Sequence, residues 1–141
     1  MNTSIVIADD HPLMLRGLTD FLTSKGFRIV GSAEDGNSAY NLIVKLKPEI
    51  AILDIRMPYK TGLEIAEACQ KNNLPTKIIL ITFDKEEELY EKAKEYNVYG
   101  YILKEFAIEE IEVKKVLQNE VENTEKTKEE PNIENSSKTD E

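Results

Sequence analysis

The chain has 141 residues, of which 40% are hydrophobic and 32% are charged, a composition typical of one globular domain. No apolar run approaches the roughly 20 residues of a membrane-spanning helix, and the first residues lack the pattern of a secretory signal, so we expect a cytoplasmic protein that does not contact a membrane. The net charge of −9 argues against direct nucleic-acid binding, and the single cysteine, Cys69, excludes an internal disulfide and a multi-thiolate metal site.

Short apolar runs alternate with amphipathic stretches along the first 118 residues. The runs are continuous and rich in branched residues, which is typical of strands buried on both faces of a parallel sheet. They lie at residues 5–8, 29–30, 50–53, 78–81 and 101–103. This alternation predicts βαβ units, and we expect a doubly wound α/β domain with five parallel strands flanked by five helices.

The helix boundaries follow from glycine and proline. The first three predicted helices end before Gly26, Pro48 and Pro75. The fourth, at residues 85–96, has a narrow apolar stripe and should be the least firmly held. A fifth helix is expected at residues 108–121, whereas residues 119–141 are acidic and polar, which predicts a disordered tail or an interdomain linker.

Charged and polar residues end the predicted strands. They are Asp9 and Asp10 after the first strand, Asp54 after the third, Thr82 at the fourth and Lys104 after the fifth. Because ligands of such sheets bind outside the carboxyl ends of the strands, we expect these side chains to meet at one rim. Each acid alone is better explained as a solvated strand end or a helix cap, but the five positions together indicate a site.

The chemistry of this rim favours a cation. Clustered carboxylates resist ionising together unless a cation compensates them, and an all-oxygen site of this kind suits Mg²⁺. Asp54 could then act as the nucleophile toward a phosphoryl group while Lys104 neutralises the developing charge. His11, next to the acid pair, is interpreted as a surface residue rather than a ligand.

The motifs around these positions resemble the receiver domains of bacterial two-component response regulators, over about residues 4–117. The resemblance is carried by Asp9-Asp10-His11-Pro12, Leu53-Asp54-Ile55-Arg56-Met57-Pro58, Gly62, Thr82 and Gly100-Tyr101-Ile102-Leu103-Lys104. It implies a CheY-like, flavodoxin-like fold with strand order 2-1-3-4-5 in a receiver domain at residues 1–118. It also implies Mg²⁺ as cofactor, a sensor histidine kinase as phosphodonor and a homodimer as a possible phosphorylated form.

Carried over residue by residue, the resemblance implies a role for each polar position. Asp54 would be the phosphoacceptor, and Asp9 and Asp10 would hold Mg²⁺ together with Asp54 and the Arg56 backbone carbonyl. Lys104 would contact the phosphoryl group. Thr82 and Tyr101 would be the switch residues. Catalysis would be limited to self-phosphorylation and self-dephosphorylation on Asp54. Arg56 and Asp84 occupy variable rim positions, where we expect them to pair and to screen the attacking water.

The motifs look closest to the NarL/FixJ-type subfamily, whose members usually carry a C-terminal helix-turn-helix. This implies transcription control through a downstream module of a longer protein, although a stand-alone receiver stays open. Phe83 is bulkier than the small residue often found after the switch threonine, which leaves access to the site open. Glu105 replaces a frequent proline, which leaves the geometry of the Lys104–Glu105 peptide open. Asn97 stands where glycine is common, which asparagine tolerates.

Two other functions compete with this interpretation. Haloacid-dehalogenase-like phosphatases place a second aspartate two residues after the nucleophile, but that position is Arg56 here. A phosphorylation-independent interaction domain would keep the site yet bind its partners in one fixed state.

Overall fold

A computed structural model of the protein describes residues 3–104. In chain order, its elements are β1 (Ser4–Ala8), α1 (Pro12–Ser24), β2 (Arg28–Ala33), α2 (Gly36–Leu46), β3 (Ile50–Asp54), α3 (Gly62–Lys71), β4 (Lys77–Thr82), α4 (Glu87–Glu95) and β5 (Gly100–Leu103). The strands form one parallel sheet in the order β2-β1-β3-β4-β5, so the predicted sheet and its strand order are confirmed. The predicted fifth helix and the predicted tail lie outside the described residues.

Both faces of the sheet are covered, as the continuous apolar strands require. On one face, α1 packs through Leu15, Leu18 and Leu22 against the odd-numbered residues of β1 and β4 and the even-numbered residues of β3. On the other face, α2, α3 and α4 pack against the alternate strand residues. Their buried apolar contacts include Ala39, Ile43, Ile65, Ala66, Cys69 and Ala93. Among the described helices, none is long and apolar enough to cross a membrane.

Local sequence explains where the helices begin and end. The Asp35 side chain accepts from the Ser38 amide and caps α2, and Thr61 and Glu64 form a reciprocal capping box at α3. Gly26, with φ of 94°, follows α1, and Asn97, with φ of 57°, follows α4. The left-handed backbone expected at Asn97 is therefore confirmed, and asparagine adopts it readily.

Two elements differ in extent from the prediction. β2 is longer than residues 29–30, because Gly31 and Ser32 pair with Val6 and Ile7 of β1 although neither residue favours strands on its own. α4 is slightly shorter than residues 85–96, and Ala93 is its one buried residue. The narrow apolar stripe predicted for this helix is confirmed.

Candidate functional site

The sheet brings the predicted residues together at the carboxyl ends of its strands. Asp9, Asp54, Thr82 and Lys104 are 0–2% exposed, whereas Asp10 is exposed. A cleft of about 320 Å³ opens beside them. Because four polar side chains do not become buried at one rim without compensating contacts, their arrangement is the first indication of a functional site.

Gly62 holds the backbone around Asp54 in place. The Gly62 amide donates to the Ile55 carbonyl at 2.9 Å, and a Cβ atom at this position would lie 2.6 Å from the Asp54 carbonyl oxygen. Glycine is therefore needed at the start of α3 so that the helix can pack closely against the end of β3.

Lys104 links the two buried acids. Its Nζ donates to Asp54 Oδ2 at 3.1 Å and to Asp9 Oδ1 at 3.1 Å, and it lies 3.0 Å from Asp9 Oδ2. The ammonium is only 1% exposed, so its charge is compensated by the carboxylates and not by water. One ammonium serves a cluster of three carboxylates, which leaves the rim with an excess of negative charge.

Asp54 differs from an ordinary carboxylate. Burial, followed by the negative charge of Asp9, raises its pKa from 3.8 to about 6, against the opposing effect of Lys104. The Arg56 amide also donates to Asp54 Oδ1 at 3.3 Å. Desolvation therefore outweighs the lysine in this state, and the site would gain from additional positive charge.

The donor atoms fit a divalent cation. Asp9, Asp10, His11 and Asp54 can each present one ligand atom, all within 4.8 Å of one another. Within residues 3–104, the buried Asp9 Oδ2 accepts no hydrogen bond, and it faces the Lys104 ammonium at 3.0 Å. A buried carboxylate oxygen that faces a positive charge in a cluster of acids also suits a hard cation such as Mg²⁺. The Arg56 carbonyl as a further ligand stays a prediction.

His11 contacts the cluster, which its interpretation as a surface residue did not include. Its side chain is 57% exposed, yet Nδ1 lies 2.9 Å from Asp9 Oδ1 and 3.1 Å from Asp10 Oδ1. Nδ1 is also 3.0 Å from Lys104 Nζ. The signal available in the sequence was only its position beside the acid pair, because its contact with Lys104 joins residues 93 positions apart.

The other rim residues form a second layer. The Asp84 amide donates to Thr82 Oγ1 at 3.0 Å, and Arg56 Nη2 donates to Asp84 Oδ2 at 2.6 Å, so the predicted pair is present. The Arg56 hydrogen bond lowers the pKa of Asp84. Lys104 Nζ lies 5.2 Å from the centre of the Phe83 ring, which is half exposed and covers one side of the ammonium.

Tyr101 is buried behind the site. Its ring packs edge-on against Tyr90 with 5.5 Å between centroids, and its hydroxyl has no hydrogen-bond partner in the described part of the chain. Burial raises its pKa to about 12. The two predicted switch residues, Thr82 and Tyr101, lie on the paired strands β4 and β5. Thr82 ends β4 and pairs with Leu103, and Tyr101 pairs with Leu80.

A five-stranded sheet in this order, with buried acids at its switch point between β1 and β3, defines a doubly wound α/β domain with an acidic ligand site. The sequence profile of the response regulator receiver domain matches residues 5–115, and the chain belongs to this family. The recognition made from the motifs is confirmed.

Individual relatives point the same way. A regulator named NarL from Mycobacterium tuberculosis is 38% identical over 114 residues, which are 80% of this chain and 52% of that protein. The solved receiver domain of NarL from Mycobacterium tuberculosis is 36% identical to this chain, with a TM-score of 0.76. The match covers 83% of this chain and 94% of that chain. The chain spans about half the length of the curated relatives that it matches.

Two further solved structures are similar. A DNA-binding response regulator of the LuxR family from Staphylococcus aureus is 36% identical, with a TM-score of 0.75 and coverage of 81% of this chain and 98% of that chain. The isolated receiver domain of RcsB from Salmonella enterica, solved in the presence of the phosphomimetic BeF₃⁻, is 27% identical, with a TM-score of 0.68 and coverage of 74% and 79%.

Proposed function

We propose that this receiver domain is a switch in which Asp54 accepts a phosphoryl group from a sensor histidine kinase. The observation that carries the proposal is the Lys104 ammonium buried between Asp54 and Asp9, at 3.0–3.1 Å from both carboxylates. A nucleophilic carboxylate and a fixed positive charge are thereby placed beside an open cleft. The similar RcsB receiver, solved in the presence of the phosphomimetic BeF₃⁻, supports a phosphoryl group as the ligand.

The transfer step follows from these groups. One Asp54 oxygen attacks phosphorus, the bond from phosphorus to the donor nitrogen breaks, and an acyl phosphate forms on Asp54. Since the pKa of Asp54 is about 6, the reactive carboxylate predominates at neutral pH. Lys104 stays within reach of the added negative charge, and Asp9 and Asp10 would hold Mg²⁺ with Asp54 and the Arg56 carbonyl. The cation would supply charge neutralisation that Lys104 alone does not provide.

The switch would then be read out through Thr82 and Tyr101. The Thr82 hydroxyl now accepts from the Asp84 amide, and a phosphoryl group on Asp54 would compete for this hydroxyl. Tyr101 joins β5 to α4 through Tyr90, and α4 is held by few buried residues, so a small shift would change this surface. In a longer protein we propose transcription control as the output, with homodimerisation of the phosphorylated form and action in the cytoplasm.

One observation favours a second candidate, an interaction domain that works in one fixed state. The Tyr101 side chain is 1% exposed and packs edge-on against Tyr90 of α4. A partner that recognises the surface over this aromatic pair would need no change at Asp54 in order to bind. Comparison of partner binding before and after phosphorylation separates this candidate from the switch.

The test is intact mass after incubation with Mg²⁺ and acetyl phosphate, with Asp54→Ala as the variant and Asp20→Asn, an exposed position on α1, as the matched control. We expect a magnesium-dependent, labile adduct of one phosphoryl group in the wild type and the control, and none in Asp54→Ala. An adduct that survives in Asp54→Ala would contradict the assignment. Absence of any adduct, also with a kinase donor, would leave the fixed interaction domain as the better explanation.

A further inference from the structure

The described sheet has an open edge at β2. This strand is outermost in the sheet and pairs with β1, whereas β5, at the other end of the sheet, is buried at every position. Within Arg28–Ala33, only Ala33 is buried. We call the side of β2 that faces away from β1 the β2 edge. An exposed strand edge offers its amide and carbonyl groups to any other strand that can align with it.

The pairing with β1 shows which backbone groups the β2 edge presents. The Ala33 carbonyl accepts from the Asp9 amide at 3.1 Å, and the register with β1 is regular from Gly31 onward. Backbone groups alternate between the two sides of a strand, so those of Ser32 and Val30 are directed away from β1. The strand has no proline or lysine, the residues that commonly protect such an edge.

Two leucines of α2 border the middle of this edge. A Cβ atom at Gly31 would lie 3.3 Å from Leu42 Cδ1 and 3.5 Å from Leu46 Cδ1, so both side chains cover the glycine on one face of β2. Leu42 is half-buried, and Leu46 is 40% exposed. Partly exposed apolar surface therefore lies beside outward-facing backbone groups.

We propose that the β2 edge is an interface between two copies of this chain, whose β2 strands pair antiparallel about a two-fold axis at Gly31. Positions equidistant from Gly31 then face each other, so Val30 of one copy pairs with Ser32 of the other. These are the two residues whose backbone groups are directed outward. The same register sets Arg28 opposite Glu34, and both side chains are exposed. The edge is thus complementary to itself in hydrogen bonds and in charge, as a two-fold interface requires.

The axis also brings the apolar borders together. A two-fold axis perpendicular to the sheet keeps α2 of both copies on the same face, so Leu42 and Leu46 of each copy lie beside the joined strands. Their burial would add apolar contact to the hydrogen bonds between the strands. β2 and β5 lie at opposite ends of the sheet. This interface is therefore independent of the surface around α4 and β5, and it requires no phosphoryl group on Asp54.

The test is sedimentation of the full chain over a range of concentrations, without a phosphodonor. Arg28→Glu and Glu34→Arg each set like charges opposite each other across the axis, and the double variant restores opposite charges. Arg16→Glu, at an exposed position on α1, is the matched control for a charge reversal. Ser32→Pro removes an outward-facing amide that the pairing with β1 does not use. Circular dichroism and thermal unfolding show that each variant is folded.

We expect a concentration-dependent dimer in the wild type, in Arg16→Glu and in Asp54→Ala. Each single reversal at the edge should weaken dimerisation by about fivefold or more, and Ser32→Pro by about tenfold or more. The double variant should return to within about twofold of the wild type.

Three results would overturn the proposed interface. The first is a wild type that stays monomeric up to about 1 mM, and the second is a dimer that folded Ser32→Pro and both reversals leave unchanged. The third is a double variant that remains as weak as the single reversals, because the register at Gly31 would then be wrong. None of these results bears on phosphoryl transfer to Asp54, which the mass measurement tests separately.

Discussion

The raised pKa of Asp54 predicts that removing its charge stabilises the fold when no divalent cation is present. Asp54 is 2% exposed, and its pKa rises from 3.8 to about 6, mainly through burial and then through the charge of Asp9. At about 1.4 kcal/mol for each tenfold change in proton binding, this corresponds to about 3 kcal/mol against the ionised form. Asp54→Asn removes this cost but also removes one partner of Lys104, so we expect a net gain of about 1–3 kcal/mol.

The pH dependence has a definite sign. A carboxyl whose folded-state pKa is raised binds its proton more tightly in the native state, so the wild type loses stability as pH rises from about 4 to about 6. The difference between Asp54→Asn and the wild type should therefore be fully present above about pH 6 and should shrink toward about pH 4. Lys104 keeps Asp9 as a partner throughout.

The assay is urea unfolding of the wild type, Asp54→Asn and the exposed control Asp20→Asn, each with a chelator and again with Mg²⁺. The control should change the free energy of unfolding by less than about 0.5 kcal/mol. Mg²⁺ should stabilise the wild type more than Asp54→Asn, since the variant has lost one proposed ligand. Lower stability of Asp54→Asn in the chelator, near neutral pH, would refute the argument that desolvation and Asp9 outweigh Lys104.

Three further predictions concern the rim and the loops. Arg56→Ala opens the 2.6 Å pair with Asp84 and should speed loss of phosphate from the phosphorylated protein; an unchanged decay rate would contradict the screening role. Gly36→Ala should cost more than about 2 kcal/mol in urea unfolding, because its Cβ would overlap the Lys60 backbone. Gly17→Ala on α1 should be neutral or stabilising, because a Cβ there would meet no atom of residues 3–104 within 4 Å. Tyr101→Phe removes a buried hydroxyl that has no hydrogen-bond partner among residues 3–104 and should raise stability by up to about 1 kcal/mol. A loss above about 1 kcal/mol would reveal a hydrogen bond to that hydroxyl.

Much of the fold could be predicted because each strand carries its own signal. Residues 50–53 are apolar at every position, a pattern typical of a short strand covered on both faces. The edge strand β2 was predicted too short. Its carboxyl-terminal half contains Gly31 and Ser32, which belong to the strand because they pair with β1. The extent of an edge strand is a property of the pairing and not of its own residues.

The site, like the fold, could be predicted from the sequence only in part. That Asp9, Asp54 and Lys104 would approach one another follows from parallel strands, whose carboxyl ends share an edge. The 3.1 Å contacts of Lys104 Nζ with both carboxylates confirm it. Their roles in phosphorylation, and the boundary of the receiver domain at residue 118, stay predictions. His11 is largely exposed, as its interpretation as a surface residue predicts, but its contact with Lys104 joins residues 93 positions apart and is set by the fold.

The sequence by itself therefore determined the class of fold, the order of the elements along the chain and the residue types available at the rim, because hydrophobic period and turn chemistry act over a few neighbouring residues. Only the tertiary structure decided the charge balance of the site. Whether the pKa of Asp54 rises or falls depends on its desolvation, on Asp9 and on Lys104, and these competing effects are fixed by distances of about 3 Å between residues far apart in the chain. Small displacements of such groups change which effect is larger, and a linear pattern of residues does not contain those distances.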